Sequence, residues 1–163
     1  MPKTPKIVER ADQPYVGIRT TLTMRQIGEK LPPLLGEVFG WLDARGITPA
    51  GAPFFKYNVI DMEGELEMEV GVPVAAAVAG DGRVLASVLP AGRYATLWHV
   101  GHPDGLFEAT SGLLAWGKEQ GITWDASDDQ KHWGVRLEAY EDDPDDEPDM
   151  NRWLTELRFR LAD

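Results

Sequence analysis

The sequence predicts an α+β fold. Two β-α-β-β units form one antiparallel sheet, with two long helices on one face and a ligand groove on the other. Two segments that resemble each other, Gly40–Thr48 (GWLDARGIT) and Ala115–Thr123 (AWGKEQGIT), first indicate the duplication. Each segment closes a helical pattern, and strand-like segments surround both helices in the same order. Two such units would each cover one sheet face with their own helix.

The two helices are predicted from the spacing of their apolar residues. The first pattern repeats at i, i+4, i+7 and i+11, and the second repeats similarly; the residues are Leu31, Leu35, Val38 and Leu42, then Leu106, Ala109 and Leu113. Gly46 and Gly121 follow these patterns and are predicted to end the helices in the left-handed conformation. Trp41 and Trp116, at helical spacing, are predicted to be core residues.

Three strands are predicted in each half. They cover Tyr15–Thr23, Phe54–Asp61 and Glu65–Val74, then Arg93–Gly101, Trp133–Tyr140 and Arg152–Leu161. Ala79–Arg83 supplies a turn between the halves. We therefore expect a single domain, residues 1–163, with repeats at about 5–79 and 83–162.

The last strands of the two halves can be superposed, with Glu69 on Glu156 and apolar residues at every second place thereafter. Alternate side chains of a strand point to opposite faces of the sheet. On this pattern both glutamates point away from the helices, towards the predicted groove.

Composition limits the partners of the protein. The formal net charge of -11 disfavours direct binding of DNA or RNA, because neutralising phosphates requires clustered Lys and Arg. The sequence has no cysteine, which excludes disulfides and thiolate sites and fits the cytoplasm. No segment has the apolar length of a membrane span, so we expect a cytoplasmic protein without membrane contact.

Three segments together resemble one family. The C-terminal part contains Glu138-x-Tyr140, Asp143-Pro144 and Thr155-Glu156, the middle segment is Leu89–Leu106, and Met68–Val74 closes the first half. In this order they resemble the GyrI-like small-molecule-binding domains, also called AraC-type effector-binding domains. The resemblance covers nearly the whole chain. No helix-turn-helix precedes the matching segments, so the resemblance implies the stand-alone form of the family. This form is related to transcription regulators.

The resemblance implies a groove with a central acid and aromatic walls. Glu156 takes the acidic role, Glu138 is a second acid, and Glu69 follows by symmetry. The aromatic candidates are Tyr140, Tyr57, Trp98 and Trp133, and any of them could instead be core. An alternative stays open, in which charged residues form a ladder of ion pairs on a solvated face; these are Arg136, Glu138, Glu156, Arg158 and Arg160.

We expect neither a metal nor a cofactor. His99 and His102, with His132 remote from them, have a suggestive spacing, but no helix places the pair on one face. In the family pattern His99 belongs to a His-x-Gly segment, where a structural hydrogen bond is expected. The sequence also has no phosphate loop and no nucleotide-binding fingerprint.

Three functions fit these observations. The first is multidrug-type binding of amphipathic, often cationic compounds, which are sequestered or sensed. The second, implied by the resemblance, is hydrolysis of reactive cyclopropane-bearing natural products, with Glu156, Glu138 and Tyr140 as catalytic candidates. The third is protein binding that inhibits DNA gyrase, through the acidic segment Glu141–Asp149; such a segment is more commonly a solvated loop.

Overall fold

The computed structural model describes residues 4–61, 64–141 and 147–162. In these ranges the chain forms eight strands, two α-helices and three short 3₁₀ helices, at Met24–Gln26, Pro103–Gly105 and Met150–Arg152. The bounds of the strands and α-helices are β1 (Lys6–Arg10), β2 (Gln13–Leu22), α1 (Ile27–Ala44), β3 (Phe54–Val59), β4 (Leu66–Pro73), β5 (Leu85–Leu89), β6 (Gly92–Val100), α2 (Leu106–Glu119), β7 (Arg136–Tyr140) and β8 (Leu154–Arg160). The acidic segment predicted as a protein-binding patch falls largely at 142–146, outside the described residues.

All eight strands belong to one sheet, in the order β1-β6-β8-β7-β3-β4-β2-β5, and neighbouring strands are antiparallel. The α+β fold class is thus confirmed. On either side of the central β7–β3 pair, the strands of the two halves follow in equivalent order. The division into two repeats stays a prediction, which this order supports.

The sheet must be strongly curled, because short connections join strands that lie far apart in the strand order. β1 to β2 and β5 to β6 are each six strand positions apart, which is about 29 Å across a flat sheet. Yet only two residues separate the ends of each pair, Arg10 to Gln13 and Leu89 to Gly92, and three Cα–Cα links span at most about 11 Å. The two edges of the sheet therefore approach each other.

Both helices pack on the same face of this sheet, the helix face. Leu31, Val38 and Leu42 of α1 pack against β2 and β4, in a core that includes Ile18 and Met68. In the second half, Leu106 and Leu113 of α2 pack against β6 and β8, in a core that includes Leu97, Leu157 and Phe159. The predicted spacing of apolar residues in both helices is confirmed.

The opposite face, the reverse face, is closed by side chains of the sheet itself. Its buried core contains Tyr15, Phe54, Tyr94, Leu137 and Ala139. We predicted a ligand groove on this face, but the large groove of the described residues lies on the helix face, because curling of the sheet brings the reverse-face side chains together. The sequence pattern identified which residues share a face, but not which face stays accessible.

Other predictions can be compared directly with the structure. Gly46 and Gly121 have φ angles of 65° and 69°, so the left-handed helix ends are confirmed. Trp41 and Trp116 are only partly buried and pack at the margins of the two helix-face cores. Among the described residues, no helix combines the length and apolar composition that a bilayer span requires.

Candidate functional site

A deep groove opens on the helix face, between the two helices, with a volume of about 1430 Å³. Leu35 and Phe39 of α1 form part of one wall, and Phe107 and Leu114 of α2 form part of the other. The floor comes from the two central strands, β3 and β7. Each helix covers its own half of the sheet, so these central strands stay accessible between them.

The alternation of β3 and β7 decides which side chains reach this floor. Phe55 and Tyr57 of β3 point into the groove, as do Arg136, Glu138 and Tyr140 of β7. The intervening residues point to the reverse face, where they join its core or its buried polar groups. The floor of the groove therefore combines aromatic rings with the carboxylate of Glu138 and the guanidinium of Arg136, and the carboxylates of Asp104 and Glu141 also line the groove.

Glu138 is the buried acid of the groove, with 8% of its surface exposed. The hydroxyl groups of Tyr140 and Tyr57 donate hydrogen bonds to the same oxygen, Oε1, at 2.7 and 3.2 Å. Within the described ranges, no donor bonds to Oε2 and no cation pairs with this carboxylate. Burial raises the pKa of Glu138 above its ordinary value, although the two hydroxyls and Arg136 partly oppose this shift.

The two tyrosines orient this carboxylate. Burial, together with the adjacent charge of Glu138, raises the pKa of Tyr57 and of Tyr140 well above the ordinary value, so both hydroxyls stay protonated donors. The ring of Phe55 meets the ring of Tyr140 edge to face, with centroids 4.9 Å apart. The packing and the hydrogen bonds together hold the tyrosine and the glutamate side chains in place.

Arg136 lies two residues before Glu138 on the same strand face. Its guanidinium lies over the rings of Phe159, Trp133 and Tyr57, at 4.9, 5.0 and 5.8 Å from the ring centroids. These distances are within the range of cation–π attraction. Burial lowers the pKa of Arg136, but the guanidinium of an arginine stays charged at neutral pH.

The mouth of the groove is apolar. Among the described residues, four of the large apolar side chains left exposed line this groove: Met24, Phe39, Phe107 and Met150. Phe107 is the extreme case, with 73% of its surface exposed. Clustered apolar side chains that remain in contact with water are typical of a binding surface.

Three of the predicted site residues, Tyr57, Glu138 and Tyr140, meet in this groove. Glu156, predicted as the central acid, does not line it. Its neighbour in register on β7 is Ala139, so Glu156 points to the reverse face. There it accepts hydrogen bonds from Arg158 and, at 3.3 Å, from Arg10. The alternative of ion pairing therefore describes Glu156, although its carboxylate is buried and only its arginine partners reach solvent.

Glu69 also lies on the reverse face, in a polar network. It accepts hydrogen bonds from Tyr15 at 2.6 Å and from Asn58 at 2.7 Å, and it pairs with Lys56 at 3.3 Å. Burial raises the pKa of Glu69, but Lys56 and these donors outweigh burial, so the net pKa is lowered. Glu69 is a structural acid and does not line the groove.

The two predicted tryptophans are elsewhere too. Trp98 is half-buried opposite Glu156 in the sheet register, so it belongs to the reverse face. Trp133 is 5% exposed and packs against Trp124 and Phe159, with its Nε1 donating to the carbonyl of Gln130. Trp133 lies behind Arg136 and supports the groove without lining it.

Sequence reasoning missed the contribution of the helices to the site. Phe39 and Phe107 directly follow core-facing residues of α1 and α2 in the sequence. An apolar residue at either position therefore could not be distinguished from a core residue by its spacing. Arg136 was considered only as a member of an ion-pair ladder. Its alternation with Glu138 and Tyr140 is the signal that places all three on one face.

The histidines have a structural arrangement. Nε2 of His99 lies 3.0 Å from the carbonyl oxygen of His102, which confirms the expected hydrogen bond of the His-x-Gly segment. Across the parts of the chain that the structure describes, no three His, Cys, Asp or Glu side chains form a metal-binding group.

Solved structures with the same fold are numerous. The isolated C-terminal domain of EcmrR superposes with a TM-score of 0.79 at 20% identity, and the match covers 99% of both chains. EcmrR in its complex with DNA also gives a TM-score of 0.79, at 21% identity over 98% of this chain; this chain spans 57% of that longer one. SAV2435, solved with bound tetraphenylphosphonium, gives 0.65 at 13% identity, with 98% and 94% of the chains covered.

A further neighbour is a hydrolase from Listeria innocua, with a TM-score of 0.67 at 12% identity over 98% of this chain and 92% of that one. At these identities the neighbours establish the fold alone. No curated protein sequence matches the chain. The family model for the GyrI-like small-molecule-binding domain matches residues 3–162. Because that match spans almost the whole sequence, the chain belongs to the family of GyrI-like small-molecule-binding domains.

Proposed function

We propose that the protein binds amphipathic organic cations in the groove between its helices, to sequester or to sense them. The observation that carries this proposal is Glu138, a buried carboxylate with two hydroxyl donors and, among the described residues, no cationic partner. Arg136 lies on the same floor, but it does not pair with Glu138. A ligand cation would supply the missing charge.

The physics of burial favours such a ligand. Removing a carboxylate from water costs several kcal/mol, which an opposite charge at the same depth offsets. Each aromatic face next to a desolvated cation adds about 0.5–2 kcal/mol, and Tyr57, Tyr140 and Phe55 surround the carboxylate. The exposed rings of Phe39 and Phe107 would cover the apolar part of the same ligand.

One structural neighbour supports this class of ligand. SAV2435 was solved with tetraphenylphosphonium, an organic cation enclosed by four phenyl rings. A groove with a buried acid and aromatic walls suits such a compound for the reasons given above. The groove volume of about 1430 Å³ is larger than the pockets of about 300–1,000 Å³ that typically hold drug-sized ligands.

Titration with tetraphenylphosphonium tests the proposal. Trp153 lines the groove, so its fluorescence should report binding. In the Glu138→Gln variant, we expect the affinity to fall at least tenfold, or about 1.4 kcal/mol. The side-chain oxygen of glutamine can still accept both tyrosine hydroxyls, so the fold should be kept. Glu119→Gln, at the exposed end of α2, is the charge-matched control and should bind like the wild type.

A second control separates the two faces of the sheet. Glu156→Gln alters the acid of the reverse face, and we expect the affinity for tetraphenylphosphonium to stay within twofold of wild type. If Glu156→Gln abolished binding in a folded protein while Glu138→Gln did not, the groove would not be the binding site. Thermal unfolding of each variant shows whether it is folded.

Hydrolysis of cyclopropane-bearing alkylating compounds is a second candidate function. A carboxyl whose pKa is raised by burial is suited to act as a general base, and the tyrosines hold Glu138 in position. Glu138 would take a proton from water as the water oxygen bonds to a cyclopropane carbon; a C–C bond of the ring breaks, and its electron pair takes up a proton elsewhere on the compound. Tyr140 is the hydrogen-bond donor that holds Glu138 in position. Glu156 has no part in this, since it lies on the reverse face. Mass spectrometry of such a compound after incubation tests it: no product, or an equal rate in Glu138→Gln, removes this candidate.

A further inference from the structure

Arg136 gives the floor of the groove a positive charge, of opposite sign to that of Glu138. The two residues are separated by one position on β7 and line the same groove. Side chains two positions apart on a strand leave the backbone about 6.5–7 Å from each other. A single small molecule can span this distance and contact both charged groups.

The structure does not use Arg136 to neutralise an acid. Among the described residues, none of the ion pairs includes its guanidinium, and Glu138 is not within pairing distance of it. Instead, the guanidinium is held over the faces of Phe159, Trp133 and Tyr57. The aromatic faces fix the position of the guanidinium, but they offer no oxygen atom to which its N–H groups could donate hydrogen bonds.

A purely cationic ligand would interact favourably with Glu138 but not with Arg136. It would compensate Glu138, but it would bring a second positive charge close to Arg136 in a partly desolvated groove, where like charges repel more strongly than in water. A ligand that also carries an anionic or strongly accepting oxygen would give Arg136 a partner. Arginine is suited to this task because its donors form a planar fork that matches sulfonate and carboxylate oxygens.

We propose that the preferred ligands of this groove are bipolar amphiphiles, with a positive group at Glu138 and a negative or acceptor group at Arg136. This inference rests on the proposed function, since it assigns the chemical class of ligand to the same site. It assigns Arg136 the role of a specificity-determining residue that selects among amphipathic cations.

A matched pair of amphiphiles tests the inference. Decyltrimethylammonium and 3-(decyldimethylammonio)propanesulfonate share the alkyl chain and the quaternary nitrogen, and only the second carries a sulfonate. Both charges are permanent, so pH does not change them. Calorimetric titration below the micelle-forming concentration should show that the wild-type protein binds the sulfonate compound at least fivefold more tightly.

The Arg136→Gln variant should remove this preference. We expect it to bind the sulfonate compound at least fivefold more weakly than the wild type, and to bind the simple ammonium equally well or more tightly. Arg136→Lys keeps the charge and should retain part of the preference. Arg152→Gln, on the exposed segment before β8, is the control and should behave like the wild type.

The possible outcomes separate the two proposals. If the wild type binds both amphiphiles equally, or if Arg136→Gln weakens both to the same extent, the inference is overturned while the proposed function stands. If neither amphiphile nor tetraphenylphosphonium binds, the proposed function is overturned, and the inference with it. The wild-type comparison needs no variant, so it decides the question even if Arg136→Gln fails to fold.

Discussion

Three buried glutamates in one sheet differ in what surrounds each carboxylate. Glu69 has a lysine at 3.3 Å and Glu156 has two arginines, whereas Glu138 has only the hydroxyls of Tyr57 and Tyr140. The pKa follows the partners, since it is lowered for Glu69 and raised for Glu138. A carboxylate compensated by protein cations has no need of a ligand, so Glu138 is the one available for binding.

Binding of tetraphenylphosphonium should therefore depend on pH. The pKa of Glu138 is raised above 4.5, so the carboxyl is neutral below that raised value and charged above it. Affinity should increase as pH rises through this pKa and then level off. Of the groups facing Glu138, Tyr57, Tyr140 and Arg136 keep one protonation state near neutrality. A further group that acts on this carboxylate is His99, whose positive charge would favour the charged form of Glu138.

Fluorescence titrations between pH 4 and pH 8 measure this dependence. The Glu138→Gln variant provides the reference, because it lacks the titrating group and its weak binding should hardly change with pH. An affinity in the wild type that is constant over this range would contradict the assignment of Glu138 as the charged partner.

Removing the hydroxyl of Tyr140 should shift the same pH profile. That hydroxyl donates at 2.7 Å to Glu138 and stabilises its charged form, so Tyr140→Phe should raise the pKa of Glu138 further. We expect an affinity for tetraphenylphosphonium about tenfold lower in the rising part of the profile, because a hydrogen bond to a charged group contributes about 1.5–3 kcal/mol. The midpoint of the profile should move to higher pH.

Tyr15→Phe is the matched control for this substitution. Tyr15 donates a hydrogen bond of 2.6 Å to Glu69, which is the same chemical arrangement on the reverse face. Its removal should lower the stability of the protein but leave the affinity and the pH profile unchanged. An equal shift in both variants would mean that the effect on binding is transmitted through stability and not through Glu138.

At the scale of the elements, the strands that sequence patterns identified are those with one clearly buried face. β2, β3, β4, β6, β7 and β8 were all predicted, whereas β1 and β5 were not. The two missed strands are five residues long and lie at the edges of the sheet. An edge strand such as Leu85–Leu89 is exposed over most of its length, so it has no apolar alternation to reveal it.

Substitution of two glycines of α1 tests whether a bound ligand occupies the space between the helices. Gly36 lines the groove, and no atom lies within 4 Å of a Cβ built on it, so a larger side chain would extend into the groove. We expect Gly36→Leu to weaken binding of tetraphenylphosphonium at least tenfold by occupying this space. Stability should rise by roughly 0.5–1 kcal/mol, because glycine is a poor helix former.

Gly40 provides the control on the same helix. A Cβ at Gly40 also has no atom within 4 Å, but this residue does not line the groove. Gly40→Leu should therefore give a similar gain in stability without loss of affinity. Calorimetric titration and thermal unfolding of the two variants measure both quantities, and an equal loss of affinity in both would place the ligand elsewhere.

At the scale of the whole molecule, the accessible face of the sheet depends on curvature. The alternation along β7 placed Glu138 and Tyr140 on one face, and the apolar spacing located both helices. Which face stays open follows from two-residue connections between strands six positions apart. That strand order is set by pairings between distant parts of the chain, which periodicity within a segment does not encode. For this reason the sequence pattern placed the groove on the other face, with Glu156 instead of Glu138 as its central acid.

The net charge of -11 should act on ligands before they reach the groove. Its field attracts cations from a distance, and its range falls from about 30 Å at 0.01 M salt to about 8 Å at 0.15 M. The association rate constant of tetraphenylphosphonium should therefore fall as salt rises, by up to about tenfold, the low end of the range for electrostatic steering. The dissociation rate should change little, because the contact with Glu138 is buried and weakly screened.

Stopped-flow tryptophan fluorescence, to which Trp153 in the groove contributes, would follow both rates at the two salt concentrations. Triphenylphosphine oxide, which has a similar shape and no net charge, is the matched ligand, and its association rate should not depend on salt. If salt slowed both ligands equally, it would be acting on the protein and not on attraction. If salt slowed neither, the charge of the molecule would contribute nothing to capture, and selection of cations would depend on the groove alone.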